Sequence, residues 1–340
     1  MTAIDTLPIA PPRRRRAVDA DRRQAGAGWL MSAPALALML TILIAPVLLA
    51  VVLSFTDYAL GNPGFNWVGL ENYQRIFTRS TYAKMLGATF TYVLTVVPLS
   101  VGLGLGAALL IQSLSRGTGV YKAIYFLPVM ATLLAMTIVW QLMLHPSIGV
   151  VNRGLEWVCA QPALEGLFSL SFLGLAPEST WFGRVCSQGT PLWLGDRDYA
   201  IWVVCFIGIW QGFGFNMVLY LAGLTGVSRD LYAAAEMDGA RSGWERFRLV
   251  TWPALGPTTV FVVTITCIRA FQAFDTVEAL FSPGGGPGKS AYVMMFAIYE
   301  KGVTQNLVGL GAAITVLFLV FVMILTLIQR WFTERKVHYA

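Results

Sequence analysis

Residues 228–257 read SRDLYAAAEMDGARSGWERFRLVTWPALGP and form a charged, helix-forming stretch in an otherwise apolar chain. Ser228 stands where it can cap the first helix of this stretch, since a serine side chain accepts a hydrogen bond from a backbone N–H of the first turn. Asp230 follows in that turn, and strong helix formers continue to Met237. The sequence therefore predicts one short helix at the start of the stretch.

A second short helix is predicted after a turn. Asp238-Gly239 is typical of a turn, because glycine adopts a positive φ at little cost. Ser242-Gly-Trp-Glu245 is a capping-box pattern, in which each of the two polar side chains bonds the other residue's backbone N–H. Because a proline disfavours helix at the residue before it, Pro253 and Pro257 predict that this helix ends near Trp252.

Six apolar runs surround this stretch, and each can cross about 30 Å of hydrocarbon, which takes roughly 20 helical residues. The runs are Trp29–Phe55, Met85–Ile111, Ala123–Leu144, Ala200–Gly223, Thr258–Leu280 and Leu307–Phe332. The chain is 56% hydrophobic and 12% charged, whereas soluble domains have roughly 25% charged residues. We therefore predict an all-α membrane protein with about six transmembrane helices. We expect the third run to kink or break near its start, at Leu127-Pro128.

The distribution of Lys and Arg orients the chain in the membrane. Fifteen of them lie in the N-terminal tail and in alternate connections, and eight lie on the opposite side. Because cytosolic loops carry the excess of basic residues, both termini are predicted to be cytosolic. These basic residues account for the net charge of +6, so the charge does not indicate a nucleic-acid partner. The first run is also too long for the apolar part of a signal peptide.

This topology divides the chain into three parts. Residues 1–27 form a basic cytosolic tail that is expected to be disordered. Residues 28–332 form the transmembrane domain, and residues 333–340 form a second cytosolic tail. Within the domain, the outer loop 145–199 is long enough for a small folded cap. The cytosolic loop 226–256 has its own helical pattern, which indicates that a cytosolic partner binds it.

The four cysteines and two histidines do not form a metal-binding pattern. Cys159 and Cys186 share the outer loop, where they could form a disulfide. Cys205 and Cys267 lie in apolar runs and are expected to be inert packing residues. No metal site and no catalytic residue is predicted.

The cytosolic stretch closely resembles the EAA signature of permease subunits of binding-protein-dependent ABC importers. The family pattern is approximately Tyr-Glu-Ala-Ala-x-x-Asp-Gly-Ala, a spacer with Phe, and then Leu-Pro-x-Leu-x-Pro. The matching residues are Tyr232, Ala234, Ala235, Asp238, Gly239, Ala240, Phe247, Pro253, Leu255 and Pro257. Ala233 stands where the family has the glutamate that helps to anchor its coupling helix in the ATPase, and Trp252 replaces a leucine. We expect either that Glu236 compensates or that this subunit docks with fewer charges.

The resemblance extends over roughly residues 29–332 and is best for the carbohydrate branch of the family, with maltose-type and glycerol-3-phosphate-type permeases as relatives. The further segments that carry it are Val68-Gly-Leu-Glu-Asn-Tyr73, Phe126-Leu-Pro128, Phe281-Ser-Pro-Gly-Gly-Gly-Pro287 and Ala297-Ile-Tyr299. It implies the MetI-like fold of type I importer permeases, in the inner membrane of a bacterium.

The resemblance also implies partners. These are a second permease subunit, two cytosolic ATPase subunits and an extracytoplasmic solute-binding protein, besides the lipid of the membrane. ATP-Mg is then used by the ATPases, so this chain is expected to be no enzyme and to bind no cofactor. The residues implied in coupling to the ATPase are Tyr232, Ala234, Ala235, Glu236, Asp238, Gly239 and Ala240.

Polar and aromatic residues in the fourth and fifth runs are candidates for the path of the solute. Ionisable groups are costly in a membrane and usually face the bundle interior or a water-filled cavity. Amides and aromatic rings together suit the hydroxyls and C–H patches of a sugar. The candidates are Trp210, Gln211, Phe215, Asn216, Arg269, Gln272 and Asp275. Alternatively, Arg269 and Asp275 satisfy partners across a permease dimer interface, and the aromatic residues only pack.

Other functions fit the sequence less well. The cytosolic helices could lie on the bilayer, since Arg241, Arg246 and Arg248 favour anionic lipid. A stand-alone ion-coupled transporter would need an ion relay and usually more spans in inverted repeats. The same class of importer could carry glycerol-3-phosphate or a polyol, although a phosphate would favour more cationic groups than Arg269 alone.

Overall fold

The computed structural model describes residues 28–161 and 180–336, and of residues 329–336 only the backbone. The two ranges are helical apart from connections and one isolated bridge between Thr56 and Trp67. The helices are α1 (Gly28–Leu53), α2 (Glu71–Thr78), α3 (Ser80–Ser113), α4 (Thr118–Met130), α5 (Leu133–Met143), α6 (Val150–Cys159), α7 (Trp181–Gln188), α8 (Arg197–Thr225), α9 (Arg229–Met237), α10 (Gly243–Arg246), α11 (Trp252–Ala254), α12 (Gly256–Phe271), α13 (Asp275–Phe281), α14 (Met294–Tyr299) and α15 (Val308–Lys336). The predicted N-terminal tail and residues 337–340 lie outside the described residues.

The prediction of about six transmembrane helices is confirmed. Five helical stretches in the described residues are long and apolar enough to span a membrane, and the pair α4 and α5 makes a sixth span if it is counted as one. This pair is bent by 95°. The break falls at Ala131 and Thr132, three residues after Pro128 and therefore further into the run than predicted. The last helix extends past the predicted Phe332 to Lys336.

The fifth run is not the single continuous helix that its hydrophobicity predicts. Helix α12 ends at Phe271 and α13 begins at Asp275, so that Gln272–Phe274 has an irregular backbone at membrane depth. Such backbone is tolerated in a membrane protein where it lines a cavity, because water or polar groups can then satisfy the freed N–H and C=O groups. The break brings Arg269, Gln272 and Asp275 to one cavity, although they do not share a continuous helix.

Close packing of α3, α4 and α8 depends on glycine. A Cβ on Gly104 of α3 would lie 2.7 Å from the Asn216 Cβ on α8. A Cβ on Gly214 of α8 would overlap the backbone oxygen of Tyr125 on α4. Small residues at such crossings let helix backbones approach, which is how membrane helices gain packing energy. By contrast, a Cβ on Gly106 would meet nothing within 4 Å.

The outer loop forms a cap that contains α6 and α7. A disulfide joins Cys159 at the end of α6 to Cys186 in α7. The Trp193 indole N–H donates to the Asn152 Oδ1 at 2.6 Å, which ties α6 to the approach of α8. The remainder of the predicted cap, residues 162–179, lies outside the described residues. The pairing that the sequence left open is therefore made in the structure.

Candidate functional site

The cytosolic loop begins with the helix that the sequence predicts. The Ser228 hydroxyl accepts a hydrogen bond from the Asp230 N–H at 3.2 Å, and α9 continues to Met237. Gly239 has a φ of +97°, the left-handed conformation that ends the helix without strain only for glycine. The Ala240 N–H then donates to the Ala235 oxygen at 2.9 Å, which closes the turn.

The second helical segment starts with the predicted capping box. The Glu245 carboxylate accepts hydrogen bonds from the backbone N–H groups of Arg241 at 2.7 Å and Ser242 at 3.0 Å, and Ser242 caps the Glu245 N–H in return. Because these bonds favour the ionised form, they hold the pKa of Glu245 below its ordinary value.

This segment extends beyond the predicted end at Trp252. A π-helical turn, Phe247–Thr251, follows α10 and leads into α11, which ends at Ala254. Pro253 is the second residue of α11, directly after the π-helical turn. The helical segment 243–254 therefore runs almost directly into α12.

Helix α9 and the segment 243–254 pack together by their buried faces. The hydroxyl groups of Tyr232 and Thr251 are 2.9 Å apart, and Ala235 and Val250 are buried beside them. On the rim, Arg246 and Glu236 form an ion pair at 2.9 Å, with their side chains 41% and 52% exposed. Such a half-exposed pair contributes little stability, but it occupies the carboxylate of Glu236, three residues after Ala233.

The predicted coupling residues thus divide into two groups. Tyr232, Ala235 and Ala240 face the segment 243–254, whereas Ala234, Glu236, Asp238 and Gly239 are exposed. Two apolar residues of α9 are also exposed: Leu231, which is 51% exposed, and Met237, which is 90% exposed. The sequence prediction did not include these two apolar residues. Met237 follows the buried Ala235 by two residues and therefore lies on the opposite side of the helix, whereas Leu231 precedes Ala235 by four residues and lies on the same side.

A second candidate site is a cavity of about 480 Å³ among the spans, here called the central cavity. Helices α3, α4, α5, α8, α12 and α13 contribute to its walls, together with the break between α12 and α13. Six of the seven predicted solute-path residues line it: Gln211, Phe215, Asn216, Arg269, Gln272 and Asp275. Residues that the prediction missed are Tyr92 and Ser100 from α3, Thr266 from α12 and Phe274 from the break.

Trp210 is the predicted residue that does not line the cavity. Its ring packs edge-on against Trp140 with the ring centres 5.5 Å apart. Successive residues of a helix point about 100° apart, and the neighbouring Gln211 faces the cavity instead.

The charged groups of the cavity are exposed to its interior. The Arg269 guanidinium carbon lies 3.9 Å from the centre of the Phe215 ring, a cation–π contact. No ion pair joins Arg269 to Asp275 within the part of the chain that the structure describes. Gln272 and Asp275 are likewise exposed at the break. The cavity therefore offers one cation, one carboxylate and amide groups beside aromatic rings.

Asn216 belongs to the wall rather than to the open part of the cavity, since it is only 1% exposed. Its amide nitrogen donates to the Ser100 hydroxyl at 3.4 Å, and the Thr266 hydroxyl donates to its amide oxygen at 2.9 Å. These bonds join α3, α8 and α12 inside the membrane. The amide is thus satisfied by neighbouring spans.

Comparisons with known proteins agree with this arrangement. The family described as "Binding-protein-dependent transport system inner membrane component" matches residues 100–338. The trehalose/maltose transport system permease protein MalF of Thermococcus litoralis is 30% identical over 309 residues, which cover 90% of this chain and 93% of the relative. The sn-glycerol-3-phosphate permease protein UgpA of Agrobacterium fabrum is 27% identical over 281 residues, which cover 81% of this chain and 83% of the relative.

A solved structure has the same fold. A chain of a bacterial ABC transporter for the import of the acidic polysaccharide alginate superposes with a TM-score of 0.74, at 19% identity, over 95% of this chain and 100% of that chain. The spans, the cytosolic helix pair and the match to most of the chain lead to one conclusion: the chain belongs to the inner-membrane components of binding-protein-dependent transport systems and is a multi-pass permease subunit of an ABC importer, in which other subunits carry the ATPase activity.

Proposed function

We propose that this subunit forms half of the translocation pathway for a neutral carbohydrate that an extracytoplasmic binding protein delivers. The observation that carries the proposal is the composition of the central cavity, where amides of Gln211 and Gln272 lie beside the rings of Phe215 and Phe274. Amide groups can bond sugar hydroxyls, while aromatic faces cover the apolar C–H patches. The similarity to a trehalose/maltose permease supports the same class of cargo.

The balance of charge in the cavity favours a neutral cargo. Arg269 is accompanied by Asp275 in the same cavity, so the net formal charge of this pair is zero. A doubly charged phosphate would interact unfavourably with Asp275 and would have one guanidinium to bind. Glycerol-3-phosphate is nevertheless the second candidate, because a glycerol-3-phosphate permease is among the relatives; a polyol fits the same polar groups. Because the chain belongs to the family of ABC importer permeases, a stand-alone ion-coupled transporter is no longer a candidate function.

For coupling, we infer that the outward face of α9 docks on a cytosolic ATPase. Glu236 is paired with Arg246, which leaves the docking surface with fewer charges than the family pattern has. Met237 then supplies apolar contact, with Asp238 at the helix end. Movement of α9 would pass through the Tyr232–Thr251 contact to the segment 243–254 and from there to α12, which carries Arg269.

The full importer that we propose contains a second permease subunit and two ATPase subunits, which bind ATP-Mg, so that this chain holds no cofactor. Alternating access follows from this arrangement: closure of the ATPases opens the cavity outward, and hydrolysis resets it. Substitution of Arg269 or Asp275 can distinguish a role within the cavity from a role across the permease dimer interface.

Transport into proteoliposomes that contain the assembled importer tests the proposal. Gln272→Leu is expected to lower the uptake of a neutral oligosaccharide, supplied on its binding protein, about fivefold while ATPase assembly is unchanged, because one hydrogen bond is worth about 1 kcal/mol. Trp210→Phe is the matched control, since Trp210 lies outside the cavity. Uptake of glycerol-3-phosphate but of no neutral saccharide would contradict the proposed cargo. Loss of uptake in Arg269→Gln together with dissociation of the two permeases would assign Arg269 to the dimer interface.

A further inference from the structure

The segment 243–254 has an apolar outer face that its role beside α9 does not use. Trp244 is 69% exposed and Trp252 is 48% exposed, and Leu249 between them is 62% exposed. The Trp244 and Phe247 rings stack with centres 5.4 Å apart, and the Phe247 and Trp252 rings lie 6.0 Å apart. Trp244, Phe247 and Trp252 thus form a continuous series of rings, here called the aromatic row.

The aromatic row lies at the level where the spans leave the membrane. Val250, on the opposite side of the same segment, packs with Val227, which follows the cytosolic end of α8 by two residues. Leu255 packs with Ile111 and Leu224, near the cytosolic ends of α3 and α8. The rings therefore lie beside the membrane boundary, and Trp is enriched at this depth because its ring is apolar and its N–H is polar.

The row also has a cation that lacks an acidic partner. Arg248 is exposed on the same side as Trp244 and Trp252, four residues from each. Among the described residues it forms no ion pair, whereas the nearby Arg246 is paired with Glu236. An exposed arginine among interfacial aromatic rings is the arrangement that favours anionic headgroups.

The aromatic row faces away from α9. The segment buries Val250 and Thr251 against Tyr232 and Ala235, so that its exposed side and the exposed side of α9 are on opposite sides of the pair. An ATPase surface that binds Met237 on α9 therefore does not contact Trp244 directly.

We propose that the aromatic row and Arg248 form an interfacial anchor in the cytoplasmic leaflet, which binds the headgroup of an anionic phospholipid. The anchor keeps the outer face of the segment 243–254 at the level of the headgroups while the segment moves with α9. In this arrangement α9 contacts the ATPase, and the outer face of the segment 243–254 contacts the lipid.

Spin labels in the assembled importer test this inference in nanodiscs of phosphatidylcholine, with or without phosphatidylglycerol. The label is placed by Trp244→Cys, with Met237→Cys as the control on the other helix. The native thiols do not interfere, because Cys205 and Cys267 are buried and Cys159 is bonded to Cys186. At position 244 we expect the label to collide more often with oxygen, which enters the membrane, than with a nickel chelate, which stays in water. We expect this difference to be larger when phosphatidylglycerol is present. At position 237 we expect shielding from both reagents by the ATPase.

Arg248→Gln provides a second, independent measurement. We expect this variant to need about five times as large a fraction of phosphatidylglycerol to reach half of the effect at position 244. A factor of this size corresponds to the contribution of one arginine near an anionic surface. Shielding of position 244 from both reagents only when the ATPase is bound would show that the row binds protein. Free access of the nickel chelate in anionic nanodiscs would show that the row is solvated, and either result would overturn the proposal.

Discussion

The hydroxyl of Tyr232 lies 2.9 Å from the hydroxyl of Thr251, and this contact is a direct link between α9 and the segment that leads into α12. Buried apolar contacts of Ala235 and Val250 surround it. Because the buried residue of α9 is the small Ala235, little other side-chain surface is available to transmit a displacement. We therefore expect loss of this hydrogen bond to affect coupling more than stability.

Tyr232→Phe and Thr251→Val each remove this hydrogen bond while they keep most of the packing. We expect a stability loss of about 1 kcal/mol and a several-fold fall in the ATPase activity that the loaded binding protein stimulates. The double variant should be little worse than either single one, because both changes remove the same interaction. Additive losses of stimulated activity in the assembled importer would argue against the link.

Asn216 is expected to affect stability more than solute recognition. Asn216→Leu leaves the Thr266 hydroxyl without its acceptor inside the bundle, and should lower the stability of the chain by about 1 kcal/mol, the scale for polar contacts between spans. Thermal unfolding in detergent, followed by size-exclusion chromatography, measures the effect. Gln211→Leu is the comparison, since Gln211 lines the same cavity and has no bond to another span among the described side chains. Equal melting temperatures for the two variants would contradict the assignment.

The crossing of α8 and α4 should not tolerate a methyl group at Gly214. In Gly214→Ala the new Cβ would meet the Tyr125 backbone oxygen, which cannot move without shifting α4. The expected cost is about 1–3 kcal/mol, typical of overpacking, with a lower yield of folded protein. Gly106→Ala places the same methyl group in open space on α3 and should behave as the unchanged protein. Similar losses in both variants would point to helix flexibility rather than to the crossing.

The capping box of the cytosolic loop should weaken in acid. The pKa of Glu245 is lowered from its ordinary value of 4.5 by hydrogen bonds from the backbone N–H groups of Ser242 and Arg241. A lowered folded-state pKa means that this contribution is fully present above the ordinary pKa and is lost as the pH falls through the lowered value. Hydrogen exchange at these two amides should therefore lose protection in that window, after correction for the intrinsic rate.

Glu245→Gln is the control for this experiment, because it keeps an acceptor oxygen but does not titrate. Its protection should be weaker at neutral pH and should not change across the same window. If the native chain and this variant lost protection in parallel, another group would be responsible.

Much of the fold could be predicted from local patterns. The caps at Ser228 and Ser242 and the turn at Gly239 were confirmed, because each depends on the residue and its immediate neighbours. The end of the second segment was predicted too early, since a π-helical turn leads into α11, which contains Pro253. Among the candidate residues for the solute path, Trp210 does not line the cavity, because it packs against Trp140, a residue 70 positions earlier in the chain.

The sequence by itself determined the class of the protein: length and apolarity of the runs decide that it spans a membrane, basic residues decide its orientation, and the cytosolic motif decides its family. Only the tertiary structure decided which polar residues are available. Asn216 is held between Ser100 and Thr266, Glu236 is held by Arg246, and Gln272 and Asp275 are open at a break in a span. The physical reason is that a span's hydrophobicity is set by its own residues, whereas the satisfaction of a polar group depends on side chains brought beside it from elsewhere in the chain.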